Sequence, residues 1–140
     1  MLYSRDIFIP YEKFKLKKHK EIGIENIIYL EKDIPKNVYY TKKSVDIDKK
    51  YNNIKELLSL KDFFEKYGKF FKPFNKKSLS QIVYTKTKAF VSFGYMQDKE
   101  SIVFEDFLLE LKENKLIIYG FGTSVGCTTP VKPVLTKEKN

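Results

Sequence analysis

From Lys66 to Gln97 the chain carries seven lysines (Lys66, Lys69, Lys72, Lys76, Lys77, Lys86 and Lys88) and no acid. Tyr67, Phe70, Phe71, Phe74, Tyr84, Phe90, Phe93 and Tyr95 lie among them. Ammonium groups meet phosphates and flat rings stack on unpaired bases, so this mixture suits single-stranded nucleic acid. Strand alternation puts Ile82, Tyr84, Lys86, Lys88 and Phe90 on one face of a strand predicted from Gln81 to Tyr95. Val83, Thr85, Thr87, Ala89, Val91 and Phe93 then turn toward the core. The expected nucleic-acid-binding residues are therefore Tyr84, Lys86, Lys88 and Phe90, with Lys72, Lys76 and Lys77 as an electrostatic rim. The competing structural reading has the rings filling a core and the lysines solubilising a sheet edge. Phe70-Phe71-Lys72-Pro73-Phe74 reads as a plug of the core where helix meets strand, rather than as an anchor for a partner.

Other chemistry finds less support. Glu105, Asp106, Glu110 and Glu113 cluster on one predicted strand, with Asp106 and Glu110 on the same face. Glu110-Leu111-Lys112 has the Glu-x-Lys form of metal-dependent nuclease sites. With 11 Glu and 26 Lys, about two such triplets arise by chance, and two occur. Cross-strand pairing with lysine is the simpler reading of these acids. One His (His19) and one Cys (Cys127) cannot assemble a zinc site, and Cys127 near the chain end makes a poor nucleophile. The glycines of Gly120-Phe121-Gly122-Thr123-Ser124-Val125-Gly126 have the wrong spacing for a dinucleotide fingerprint and read as a flexible exit from the last strand. No catalytic residue, metal or cofactor is expected.

Composition bounds the partner. The 140 residues include 27 Lys+Arg against 18 Asp+Glu, a formal net charge of +9. Lys, Ile, Phe, Tyr, Asn and Met make up half the chain, which is the signature of AT-rich codons. Part of the basicity is therefore expected from genome composition, such as that of a low-GC bacterium, a phage or another mobile element. The field it produces acts whatever its origin. Arg5 is the single arginine, which disfavours bidentate guanine readout and hence sequence-specific duplex binding. No apolar run approaches the roughly 20 residues of a membrane span, and the first residues lack a signal-peptide core. A cytoplasmic, intracellular protein with a reduced cysteine is expected.

These groups must be positioned by a small α+β domain. Strands are predicted at Asp6–Ile9, Glu25–Leu30 and Val38–Thr41, with a solvated turn at Lys17–Lys20. Ile54, Leu57, Leu58, Leu60, Phe64 and Tyr67 recur at spacings of three and four, predicting a helix over 53–67. Asn52 or Asn53 would cap it, Gly68 would stop it, and Ser59-Leu60-Lys61-Asp62 could break it as a capping box. A meander follows: Gln81–Tyr95, Ile102–Leu111 and Leu116–Phe121, turning at Gln97–Glu100 and at Lys112–Lys115, where Asn114 suits a left-handed position. The order β-β-β-α-β-β-β is compatible with a small oligonucleotide-binding-type barrel. Residues 1–126 would form the domain and 127–140 a flexible basic tail.

The expectation is a non-enzymatic domain that binds single-stranded nucleic acid, or another polyanion, with little sequence specificity. The alternative is a protein–protein module, an assembly component or inhibitor that docks its aromatics on an acidic protein surface.

Overall fold

A computed structural model of the chain describes residues 7–17, 25–71, 79–96 and 98–127. In chain order these form β1 (Phe8–Pro10), α1 (Tyr11–Lys17), a 3₁₀ helix (Glu25–Leu30), β2 (Thr41–Asp46), α2 (Ile54–Leu58), α3 (Phe63–Tyr67) and a 3₁₀ turn (Gly68–Phe70). Four strands follow: β3 (Leu79–Tyr84), β4 (Lys88–Met96), β5 (Ser101–Lys112) and β6 (Lys115–Cys127). All six strands join one sheet in the order β1-β3-β4-β5-β6-β2. β1 runs parallel to β3, and every other neighbouring pair is antiparallel. The α+β class and the antiparallel C-terminal meander match the sequence expectation. The sheet does not close into a barrel, because β1 and β2 stand at its two edges. Among the described residues, no helix is long and apolar enough to cross a membrane.

Both faces of the sheet are covered. On one, Ile54, Leu57, Leu58, Phe63 and Phe71 pack against Ile82, Val91, Phe93, Phe107, Leu109 and Leu116. On the other, Tyr11, Phe14 and Leu30 cover Val83, Phe90, Leu108 and Tyr119. Double coverage explains why β4 reads as a continuous apolar run rather than an alternation. The second layer is also tied by polar contacts. The Tyr11 hydroxyl donates to the Glu31 carboxylate, and Lys15 bridges Glu12 and Glu31 at 3.4 Å each. Burial and the Glu31 charge together push the Tyr11 phenol up to about 12.

Several expectations need correction. Glu25–Leu30 is a 3₁₀ helix, not a strand, because its apolar residues Ile27 and Leu30 serve as cover for the sheet face. The predicted helix over 53–67 is two short helices. Asn53 caps α2, its Oδ1 accepting from the Glu56 N–H at 2.9 Å. Ser59 ends α2, with its hydroxyl donating to the Lys55 carbonyl at 2.7 Å, so this residue is a C-cap and not the start of a capping box. Gly68 keeps right-handed angles (φ −60°), and the chain passes directly into the 3₁₀ turn. Phe71 is fully buried among Phe63, Phe64, Phe93 and Phe107, as the core-plug reading requires.

The predicted strand 81–95 is a hairpin. Its ladder breaks after Tyr84, where the Thr85 N–H donates to the Lys88 carbonyl at 2.8 Å. Thr85 Oγ1 also accepts from the Lys88 N–H at 3.1 Å, so the threonine closes the turn from both its backbone and its side chain. In the β5–β6 turn it is Glu113, not Asn114, that takes a positive φ, of 52°. β6 does not end at Phe121 but runs through the glycine-rich stretch to Cys127. Gly120 permits β2 to approach: a Cβ there would meet Thr41 Cγ2 at 2.7 Å and Tyr40 Cε1 at 2.9 Å. Gly122 (φ +89°) sits at the register shift opposite Asp106 and Phe107. His19, Lys72, Phe74, Lys76, Lys77 and the expected tail after Cys127 lie outside the described residues.

Candidate polyanion-binding site

Three backbone hydrogen bonds gather loops that are distant in sequence at one end of the sheet. Ile54 N–H donates to the Lys86 carbonyl at 2.8 Å, fixing the start of α2 on the β3–β4 turn. Leu111 N–H donates to the Thr87 carbonyl at 2.7 Å, and Ile47 N–H to the Asn114 carbonyl at 2.9 Å. The loop after β2, the β3–β4 turn and the β5–β6 turn thus share one rim. It carries Lys49, Lys50, Lys55, Lys86 and Lys112, all exposed. None of the five forms an ion pair with another described residue.

Most acids of this rim are engaged, while Glu113 in the β5–β6 turn is exposed. Asp46 accepts from Lys115 Nζ at 2.8 Å. Asp48 pairs with Lys66. The Glu56 carboxylate accepts from the Asn52 N–H at 3.0 Å. Tyr119 donates its hydroxyl to Glu110, and burial together with that charge raises the phenol pKa. With Asp46 and Asp48 neutralised by Lys115 and Lys66, the five other lysines still outnumber Glu56, Glu110 and Glu113, so the rim stays net positive and its exposed ammonium groups attract a diffuse anion partner.

Between the start of α2 and the β3–β4 turn lies a cleft of about 400 Å³ lined by Asn53, Lys55, Tyr84, Thr85 and Lys86. Its aromatic wall is the half-buried Tyr84, which meets Phe8 edge-on with ring centroids 6.3 Å apart. Lys55 Nζ lies over the Tyr84 ring at 5.3 Å and the Phe8 ring at 5.9 Å. Asn53 Oδ1 and Thr85 Oγ1 are committed to the helix cap and the turn. Two ammonium groups and a phenol ring remain to meet a ligand.

The site residues expected from sequence divide accordingly. Tyr84 and Lys86 come together in the cleft. Lys88 turns to the opposite face, where Nζ donates to the carbonyls of Tyr29 and Lys32 at 3.3 Å each and fastens the end of the 3₁₀ helix. Phe90 is fully buried on that same face and cannot stack on a base. The cause is register. Tyr84 pairs with Ala89 and Val83 with Phe90, so the turn separates Tyr84 and Phe90 onto opposite faces. Lys72, Lys76 and Lys77 lie outside the described residues. Sequence reasoning did not find Lys49, Lys50, Lys55 or Lys112. For Lys55 a signal existed, since the Asn53 cap places it beside Ile54 on the polar flank of a helix start.

The acidic strand does not assemble a metal centre. Glu105 and Asp106 are both buried but point to opposite faces. Asp106 accepts from Ser92 Oγ at 2.6 Å, and burial, with a contribution from Glu25, pushes its carboxyl up to about 7. Burial also raises Glu105. Among the described residues, no group of three or more His, Cys, Asp and Glu could hold a metal ion. Comparison with family models, curated proteins and solved structures gives no match to this chain.

Proposed function

We propose that this protein is a non-enzymatic module that binds single-stranded nucleic acid, or a similar polyanion, through the lysine-bearing rim with little sequence preference. One observation supports the reading: Lys49, Lys50, Lys55, Lys86 and Lys112 converge on one rim, where they outnumber Glu56, Glu110 and Glu113, the acids without a lysine partner there. Lysines of that kind neutralise phosphates as point charges, which favours the backbone over base edges. Among the described residues the rim carries no arginine, which fits low specificity.

The test is a fluorescence-anisotropy titration of a labelled mixed-sequence 12-nucleotide strand across a series of salt concentrations. For single strands the log–log slope is about −0.7 per neutralised phosphate, so full use of five lysines gives a slope of about −3.5. A slope near zero, or no binding at low salt, refutes the reading.

A further inference from the structure

The rim is electrostatic, but the cleft beside it has a different character. Of the two rings expected to stack, Phe90 is fully buried and Tyr84 lines the cleft. At about 400 Å³ the cleft falls in the range of small-ligand sites and is much larger than a lone anion needs. Asn53 Oδ1 and Thr85 Oγ1 are spent on the α2 cap and the turn, so stacking falls to the Tyr84 ring and charge recognition to the Lys55 and Lys86 ammonium groups. That combination of one flat apolar surface and two adjacent cations matches one flat heteroaromatic ring joined to one phosphate.

We infer that the cleft takes a single unpaired nucleotide, with its base against Tyr84 and its phosphate between Lys55 and Lys86. The inference rests on the polyanion reading above and adds to it a one-base contact site. Lys55 now covers the Tyr84 ring at 5.3 Å. An incoming base would replace the ammonium over the ring and release it toward the phosphate. An exposed cation–π contact is weaker than stacking of a base, so the exchange runs toward the ligand.

The experiment compares two labelled strands on the full chain by anisotropy: a 12-nucleotide thymidine strand and an abasic strand with the same number of phosphates. One stacked base predicts that the thymidine strand binds about 5- to 150-fold tighter at every salt concentration, with the same salt slope for both. Tyr84→Leu, checked for folding by circular dichroism, should close that gap while leaving the abasic affinity unchanged. Because Tyr84 also touches the core, a second measurement is independent of folding in the variant. Photocrosslinking of a 5-iodouracil strand to the unaltered protein should label the peptide containing Tyr84. Equal affinity for the two strands, or crosslinks confined to other peptides, overturns the one-base site and leaves the polyanion reading standing. Failure of both strands to bind at low salt overturns both.

Discussion

Asp106→Asn should stabilise the protein at neutral and alkaline pH and leave it unchanged near pH 4. Asp106 is 4% exposed, on the sheet face covered by α1 and the 3₁₀ helix, and its carboxyl titrates at about 7 instead of 3.8. Below about pH 4 both the folded and unfolded chains hold this proton. Between pH 4 and 7 the folded state keeps a proton that the unfolded chain releases, so stability falls as pH rises through this window and levels off above it. Each tenfold change in proton concentration is worth about 1.4 kcal/mol, which puts the full cost at about 4 kcal/mol by pH 8. Asparagine never ionises, keeps the shape, and its side-chain oxygen can still accept from Ser92 Oγ. Urea unfolding at pH 4, 5, 6, 7 and 8 should show the two proteins equal at the acid end, with the variant ahead by about 2–4 kcal/mol at pH 8. Glu105 is also raised by burial and adds a slope of the same sign, but it is common to both proteins and cancels in the difference. A difference that does not change with pH would refute the argument that burial of this charge sets the profile.

Three further substitutions probe the packing. Phe71→Ala empties the ring cluster of Phe63, Phe64, Phe93 and Phe107 and should cost about 3–5 kcal/mol in urea unfolding. Gly120→Ala drives a methyl into Thr41 and Tyr40, and should raise amide exchange selectively in Thr41–Asp46 as β2 loses its ladder to β6. Lys88→Met removes the donor to the Tyr29 and Lys32 carbonyls. It should lower stability by about 1 kcal/mol while changing oligonucleotide affinity no more than loss of any exposed lysine.

The parts of the fold that were legible in sequence are those where local chemistry and tertiary demand agree. Lys112 to Lys115 separates two long β-branched and aromatic runs, and the hairpin formed there, although Glu113 rather than Asn114 adopted the positive φ. Asn53 and the spacing of Ile54, Leu57 and Leu58 revealed the helix start. The turn at Thr85-Lys86-Thr87 was hidden because it has no Gly, Pro or Asn, and period-two alternation passes through it unbroken. That single miss misplaced the site: Tyr84 and Phe90, counted onto one face, stand on opposite sides of the sheet. Glu25–Leu30 misled for a different reason, since its β-branched residues were recruited as a lid over the second face, which local propensity does not encode. The lysine rim is a product of strand pairing, which joins residues 49, 55, 86 and 112 across more than sixty positions of sequence.

In the proposed function, polyanion binding depends on where the lysines are and not on the overall charge of +9. Two variants of equal net charge separate these: Lys55→Glu/Lys86→Glu on the rim, and Lys36→Glu/Lys99→Glu, with Lys99 in the β4–β5 turn at the opposite end of the sheet, each carrying +5. The decisive measurement is their affinity for the same single strand at physiological salt. The rim variant should lose at least tenfold more affinity than the remote one. Equal losses would contradict that dependence, and would make the lysine excess a diffuse property of composition with no binding site.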